Sequence, residues 1–258
     1  MQNCYFIKAC NRLQSVSNCY YGMIRELFFK NLQHPRLCLG VHIAEAKELF
    51  LGIDALVHVD AVADKTNPTA VVLVLGPPFK DDWPTIAHYQ DNNFVKNYTI
   101  TMATVVEQLP ALDSRFNASR HFSSHLDLAR AMINLESQIA GMILRIKMSA
   151  EQTTSQQRFS ITELQNLVPE LDLHHLLIDL IPGEVPEEII VESTAYLRFV
   201  SELVGQTDKG VVQKYLSWKL IQKFYSYVEA DSIKPLQDKI QDISVKGGEP
   251  VFITLMTV

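Results

Sequence analysis

Cysteine is confined to the start of this 258-residue chain, at Cys4, Cys10, Cys19 and Cys38, and every later position lacks it. Secreted domains that rely on disulfides place cysteines across the whole fold, so such a framework is excluded for most of the chain. The spacings fit neither a C-x-x-C redox pair nor a zinc knuckle. Nothing nearby supplies the electropositive setting that activates a thiol. The four read as buried thiols or disulfide halves. Glycine is also scarce, with ten residues and no cluster, which excludes a glycine-rich phosphate cradle. No run of about 18 apolar residues occurs, so no bilayer span is expected. The first residues, MQNCYFIKAC, lack the basic start, long apolar stretch and small-residue cleavage site of a secretory signal. Basic charge is in deficit, with 23 Lys and Arg against 29 Asp and Glu. No basic stripe is present to neutralise phosphates, so nucleic acid is not an expected partner.

Catalytic motifs are missing too. Helical zinc peptidases need H-E-x-x-H, which sets two histidines on one helix face and a glutamate beside the bound water. No histidine here is followed by glutamate. His42-Ile43-Ala44-Glu45 lacks the second histidine and reads as an ordinary amphipathic face. His174-His175 is the one adjacent pair, but neighbouring helix positions point about 100° apart, so a surface or helix-end pair is expected rather than a metal site. There is no G-x-S-x-G elbow to nominate a nucleophile. No catalytic or metal residue is therefore assigned.

The chain is 47% hydrophobic and long enough to bury a real core. Residues 20–52 read as two short helices broken at Pro35. LVHVDAVA (56–63) and AVVLVLG (70–76) are valine-rich runs joined by DKTNPT, the pattern of a β-hairpin. Pro77, Pro78 and Pro84 end it and forbid a helix until about residue 91. Beyond that the signal is helical almost to the end. Leu128, Met132, Leu135, Ile139, Met142 and Ile146 recur every three or four residues and make one stripe. Ser160 and Glu163 form a capping-box pattern. Ser193 is placed to cap a helix carrying Tyr196, Leu197, Val200 and Leu203, with Gly205 placed to end it. Asp208 is placed to cap a longer helix carrying Val212, Leu216, Leu220, Phe224 and Tyr227. That helix also bears Tyr215, Trp218, Tyr225 and Val228 on other faces. Such girth predicts an uncovered apolar surface when the chain is alone. The fold class expected is mainly α, a multi-helix lobe with a small β-hairpin near residues 56–76. Asn97-Tyr98-Thr99 and Asn117-Ala118-Ser119 are sequons, which makes Asn97 and Asn117 candidate N-glycan acceptors.

Several segments, in order, resemble the N-terminal portion of the neprilysin family of zinc metallopeptidases, which includes the endothelin-converting enzymes. They are FIKACN (6–11), the stretch from AEAKELF to the strand–turn–strand ending LGPP (44–78), MINLESQIA (132–140), FSITELQNLVPELD (159–172), IIVESTAYLRFV (189–200) and VVQKYLSWKLIQKF (211–224). The likeness covers about residues 5–230, and its specificity lies in order and spacing. It implies a partial peptidase N-terminal domain over 1–240 and a divergent tail over 241–258, where VKGGEPVFITLMTV ends the chain. It also implies an extracellular or membrane-anchored ectodomain, zinc in the full-length family, and a partner that is either a catalytic lobe or a peptide or protein. Departures are equally plain. The family's signal-anchor helix and early cysteines have no counterpart, and the Trp usual near Leu173 is absent. The H-E-x-x-H, the distal glutamate and the Asn-Ala-aromatic strand are absent too, so no catalytic or zinc residue carries over. The family counterpart of Cys10 pairs with a cysteine beyond the Leu-x-Trp helix, which leaves Cys10 as the expected unpaired thiol. The implied role is the wall of a peptide-holding chamber without its active site; the alternative is a stand-alone helical module that binds a peptide or protein.

Overall fold

The computed structural model describes residues 54–78, 84, 86–108, 122–149, 157–173, 176–177, 187–224 and 234–239. All four cysteines, His42 to Glu45, Asn117, His174-His175, the helices expected in 20–52 and the tail over 241–258 lie outside the described residues.

The valine-rich runs form β1 (His58–Ala63) and β2 (Val71–Gly76), paired antiparallel with His58 opposite Gly76 and Ala63 opposite Val71. The intervening turn is held by Asp64, whose carboxylate accepts from the Thr66 amide at 2.8 Å and its hydroxyl at 2.7 Å, the local bonding that favours Asp in turns. The hairpin is half of a larger sheet. β3 (Gln157–Ser160) and β4 (Glu188–Val191) complete four strands in the order β1-β2-β4-β3. β4 runs parallel to β2, with Val74 beside Ile190, and antiparallel to β3, with Arg158 beside Ile190.

Helices supply most of the rest. A 3-10 turn at Ile86–Gln90 leads into α1 (Asn92–Gln108), so the prolines delay the first described α-helix to residue 92. α2 (His125–Ser149) buries Leu128, Met132, Leu135 and Ile139 as its stripe predicts, with Met142 and Ile146 half-buried against the same core. α3 (Ile161–Leu167) opens on the expected capping box. The Ser160 hydroxyl accepts from the Glu163 amide, and the Glu163 carboxylate accepts from the Ser160 amide. α4 (Thr194–Gln206) starts at Ser193, whose hydroxyl accepts from the Tyr196 amide. α5 (Lys209–Phe224) starts with Asp208 accepting from the amides of Gly210 and Val211.

Two expectations are corrected. Gly205 does not end α4; the helix continues to Gln206 and is closed at Thr207, which bonds back to Leu203 and Val204. A Cβ at Gly205 would meet the side chain of Glu170, from the Pro169–Leu171 turn, at 3.0 Å. Tyr215 and Trp218 do not form an uncovered surface, since both are wholly buried in this chain's own core. Tyr225 and Val228 lie outside the described residues.

One core gathers the inner face of the sheet (Leu73, Leu75, Ile189, Val191) with α1, α2, α4 and α5. The opposite sheet face carries a separate small cluster of Val72, Val74 and Ile190. The lead-in to β1 is sealed by two helices. Tyr215 donates to the Ala55 carbonyl at 3.1 Å and Tyr196 to the Leu56 carbonyl at 2.6 Å, which satisfies polar backbone where Leu56 is fully buried.

Candidate functional site

Two polar constellations stand out, each built by residues far apart in sequence. The first crosses the outer sheet face. Arg158, on edge strand β3, donates from Nη2 to Asp64 at 2.7 Å and from Nη1 to Glu188 at 3.3 Å. Asp64 follows β1, the other edge strand, so one guanidinium ties both edges. The Arg158 hydrogen bond and those from Thr66 hold the Asp64 carboxyl well below the usual range, and Asp64 in turn raises Arg158. Val62, Ala63, Lys65, Thr66, Arg158 and Ile190 line a cavity here of about 210 Å³. Its guanidinium already faces two carboxylates, those of Asp64 and Glu188.

The second constellation lies inside the helical core. Glu136 is fully buried on α2 and accepts from Lys219 of α5 at 3.1 Å. Lys219 also donates to Gln222 Oε1 at 2.7 Å. Gln222 and Trp218 both donate to the Tyr98 hydroxyl, Trp218 Nε1 at 2.9 Å. Tyr98 stacks on Phe94, with ring centroids 5.4 Å apart. Burial, reinforced by the Glu136 charge, pushes the hydroxyls of Tyr89, Tyr98 and Tyr215 upward, so all three stay protonated at neutral pH. These groups can hold helices in place; as neutral phenols and a paired carboxylate, they offer no nucleophile.

A third pair, His58 with Asp54 at 2.6 Å, sits at the start of β1. Among the described residues no group of three or more His, Cys, Asp or Glu is arranged to hold a metal, so the side chains described here do not fit a catalytic zinc.

Of the candidate site residues, Asn97 lies on the exposed side of α1. Its sequon partner Thr99 is buried and donates to the Val95 carbonyl at 2.6 Å. Asn117 and Cys10 lie outside the described residues. Sequence reasoning missed Arg158 and the Glu136–Lys219 pair. A signal for Glu136 was present, because a glutamate inside the apolar run MINLESQIA needs a partner if that face is buried.

A family model described as Peptidase family M13 matches residues 40–247. Neprilysin-11 of Caenorhabditis elegans is 27% identical over 104 residues, 38% of this chain and 12% of that protein. Endothelin-converting enzyme 1 of Rattus norvegicus is 27% identical over 129 residues, 49% of this chain and 16% of that protein. The chain thus spans under a fifth of the length of these relatives. In fold it is similar to the Mycobacterium tuberculosis zinc metalloprotease ZMP1. The cryo-electron-microscopy structure of its open state gives a TM-score of 0.61 at 14% identity over 94% of this chain and 40% of that one. An inhibitor complex gives 0.58 at 14% identity over 90% and 38%.

Proposed function

The chain belongs to peptidase family M13, and from that premise we propose that it is the non-catalytic N-terminal lobe of a neprilysin-like zinc metalloendopeptidase. In this reading it walls the chamber in which a complete enzyme hydrolyses short peptides, and the zinc, its ligands and the general base come from a catalytic lobe. The observation that carries it is the collinear family match over residues 40–247 in a sequence without H-E-x-x-H. By resemblance to this family, the complete protein is read as an extracellular or membrane-anchored ectodomain. The sequons at Asn97 and Asn117 are consistent with that setting.

The test is metal analysis and peptide cleavage with purified residues 1–258. The expected result is no stoichiometric zinc and no hydrolysis, because the ligands that activate water are missing from the sequence. One tightly held zinc per chain with chelator-sensitive peptidase activity would overturn the reading. The same preparation, mapped without reductant, is expected to carry Cys10 as a free thiol. A genomic continuation past Val258 into an H-E-x-x-H segment would support the lobe directly.

One observation favours a second reading, a stand-alone module that binds a peptide or protein without cleaving it. Tyr215 and Trp218 are buried without any second chain, so these two aromatics do not call for a later partner. A compact monomer with cooperative unfolding and no dye-binding surface would promote this reading over the first.

A further inference from the structure

α5 differs from the other helices in how burial is distributed around it. α4 keeps one inward stripe, Tyr196, Leu197, Val200, Leu203 and Val204, and leaves Arg198 and Glu202 in solvent. On α5 the five consecutive residues Lys214 to Trp218 are all buried. Successive side chains step about 100° around a helix, so five in a row cover its full circumference. Apolar burial is non-directional. At that turn, burial by itself does not single out one rotation of the helix about its axis.

Directional contacts do distinguish the rotations. Lys219 reaches Glu136 on α2, while Trp218 and Gln222 converge on the Tyr98 hydroxyl of α1. Tyr215 reaches the Ala55 carbonyl ahead of β1. Turning α5 by one residue would break all of these at once and strand a fully buried carboxylate. We propose that the pair of buried Glu136 with half-buried Lys219 and the Tyr98 contacts fix the rotational setting of α5, selecting one packing rather than adding net stability. Desolvation offsets most of the attraction in a buried ion pair, and polar groups at interior positions can set register between helices.

The proposal is independent of the peptidase reading and is tested on the whole chain. A Trp83→Phe background leaves Trp218 as the sole tryptophan, since the chain has two. In that background the double variant Glu136→Met, Lys219→Met removes the pair while keeping apolar bulk. The expected result is an unchanged or raised melting temperature, a weakened near-ultraviolet tryptophan band, and amide protection in α5 reduced by about tenfold or more as alternative rotations are populated. A sharply lowered melting temperature, or failure to fold, would make the pair a source of stability and overturn the proposal. An unchanged tryptophan band with unchanged protection would overturn it equally. Tyr98→Phe is the gentler companion: it removes one hydroxyl and is expected to lower α5 protection while leaving that of α4 as it was. Equal loss in both helices would argue against rotation.

Discussion

Arg158 and Asp64 stand 94 residues apart in sequence and meet at 2.7 Å across the outer face of the sheet. The guanidinium and the Thr66 donors stabilise the ionised carboxylate. Its folded-state pKa is therefore depressed. Stability from such a group is present above its unfolded value, near 3.8, and is lost as pH falls toward the folded value. Asp64→Asn is expected to melt below the parent at neutral pH, with the gap narrowing as the medium is acidified below about pH 4. Melting curves from neutral pH to about pH 2.5 measure it; a gap constant with pH would show that the Asp64 charge has no part in the clasp.

Tyr196→Phe probes the seal over the lead-in to β1. The Leu56 carbonyl is buried and takes its 2.6 Å hydrogen bond from the Tyr196 hydroxyl. Removing the donor while leaving the acceptor in place costs about 1–3 kcal/mol. Denaturant unfolding of the two proteins gives this difference, and a loss well under that range would mean that water or a shifted backbone replaces the tyrosine.

The capping box of α3 yields a smaller effect. Ser160→Ala removes the acceptor for the Glu163 amide and is expected to cost about 1 kcal/mol. The backbone and side chain of Ser160 hold the Glu163 carboxyl below its usual value. The stability that Glu163 adds is present above about pH 4.5 and fades as the solution becomes more acid. Glu163→Gln should accordingly differ from the parent at pH 7 and converge on it in acid.

Asn97 combines an exposed acceptor with a buried sequon hydroxyl, because Thr99 is turned inward to Val95. A glycan would face solvent, but the folded helix hides part of the recognition element. Expression through a secretory pathway is expected to add a glycan that Asn97→Gln abolishes, whereas the folded, unmodified chain should resist glycosylation in vitro. Mobility before and after deglycosylation reads both arms.

Local chemistry was legible in the sequence wherever one segment decides its own conformation. The hairpin strands, the Ser160 box, the Ser193 and Asp208 caps and the α2 stripe each rest on residues within a turn or two of one another. β3 was not legible, since Gln-Arg-Phe-Ser has no alternating apolar pattern and becomes a strand only by pairing with β4. Gly205 likewise reads as a helix stop, yet α4 runs on to Gln206 and closes at Thr207. Aromatic girth on α5 was visible, but its destination was not: burial of Trp218 depends on Tyr98, 120 positions away. The Arg158 clasp and the Glu136–Lys219 pair were hidden for that reason as well, each joining charges far apart along the chain.

The parallel pairing of β2 with β4 sets an order of events at the ribosome. Leu75 emerges early and Val191 late, and the Tyr196 hydroxyl that locks Leu56 arrives 140 positions after its acceptor. At synthesis rates of about 5–20 residues per second, the nascent hairpin waits roughly 6 to 23 seconds before its inner edge can be filled. Throughout that interval β2 presents valine-rich backbone to the surroundings with one side unpaired, the state in which strands join wrong neighbours. The chain order of β2 and β4 therefore leaves the inner edge of the sheet open to mispairing until the later strand has been made.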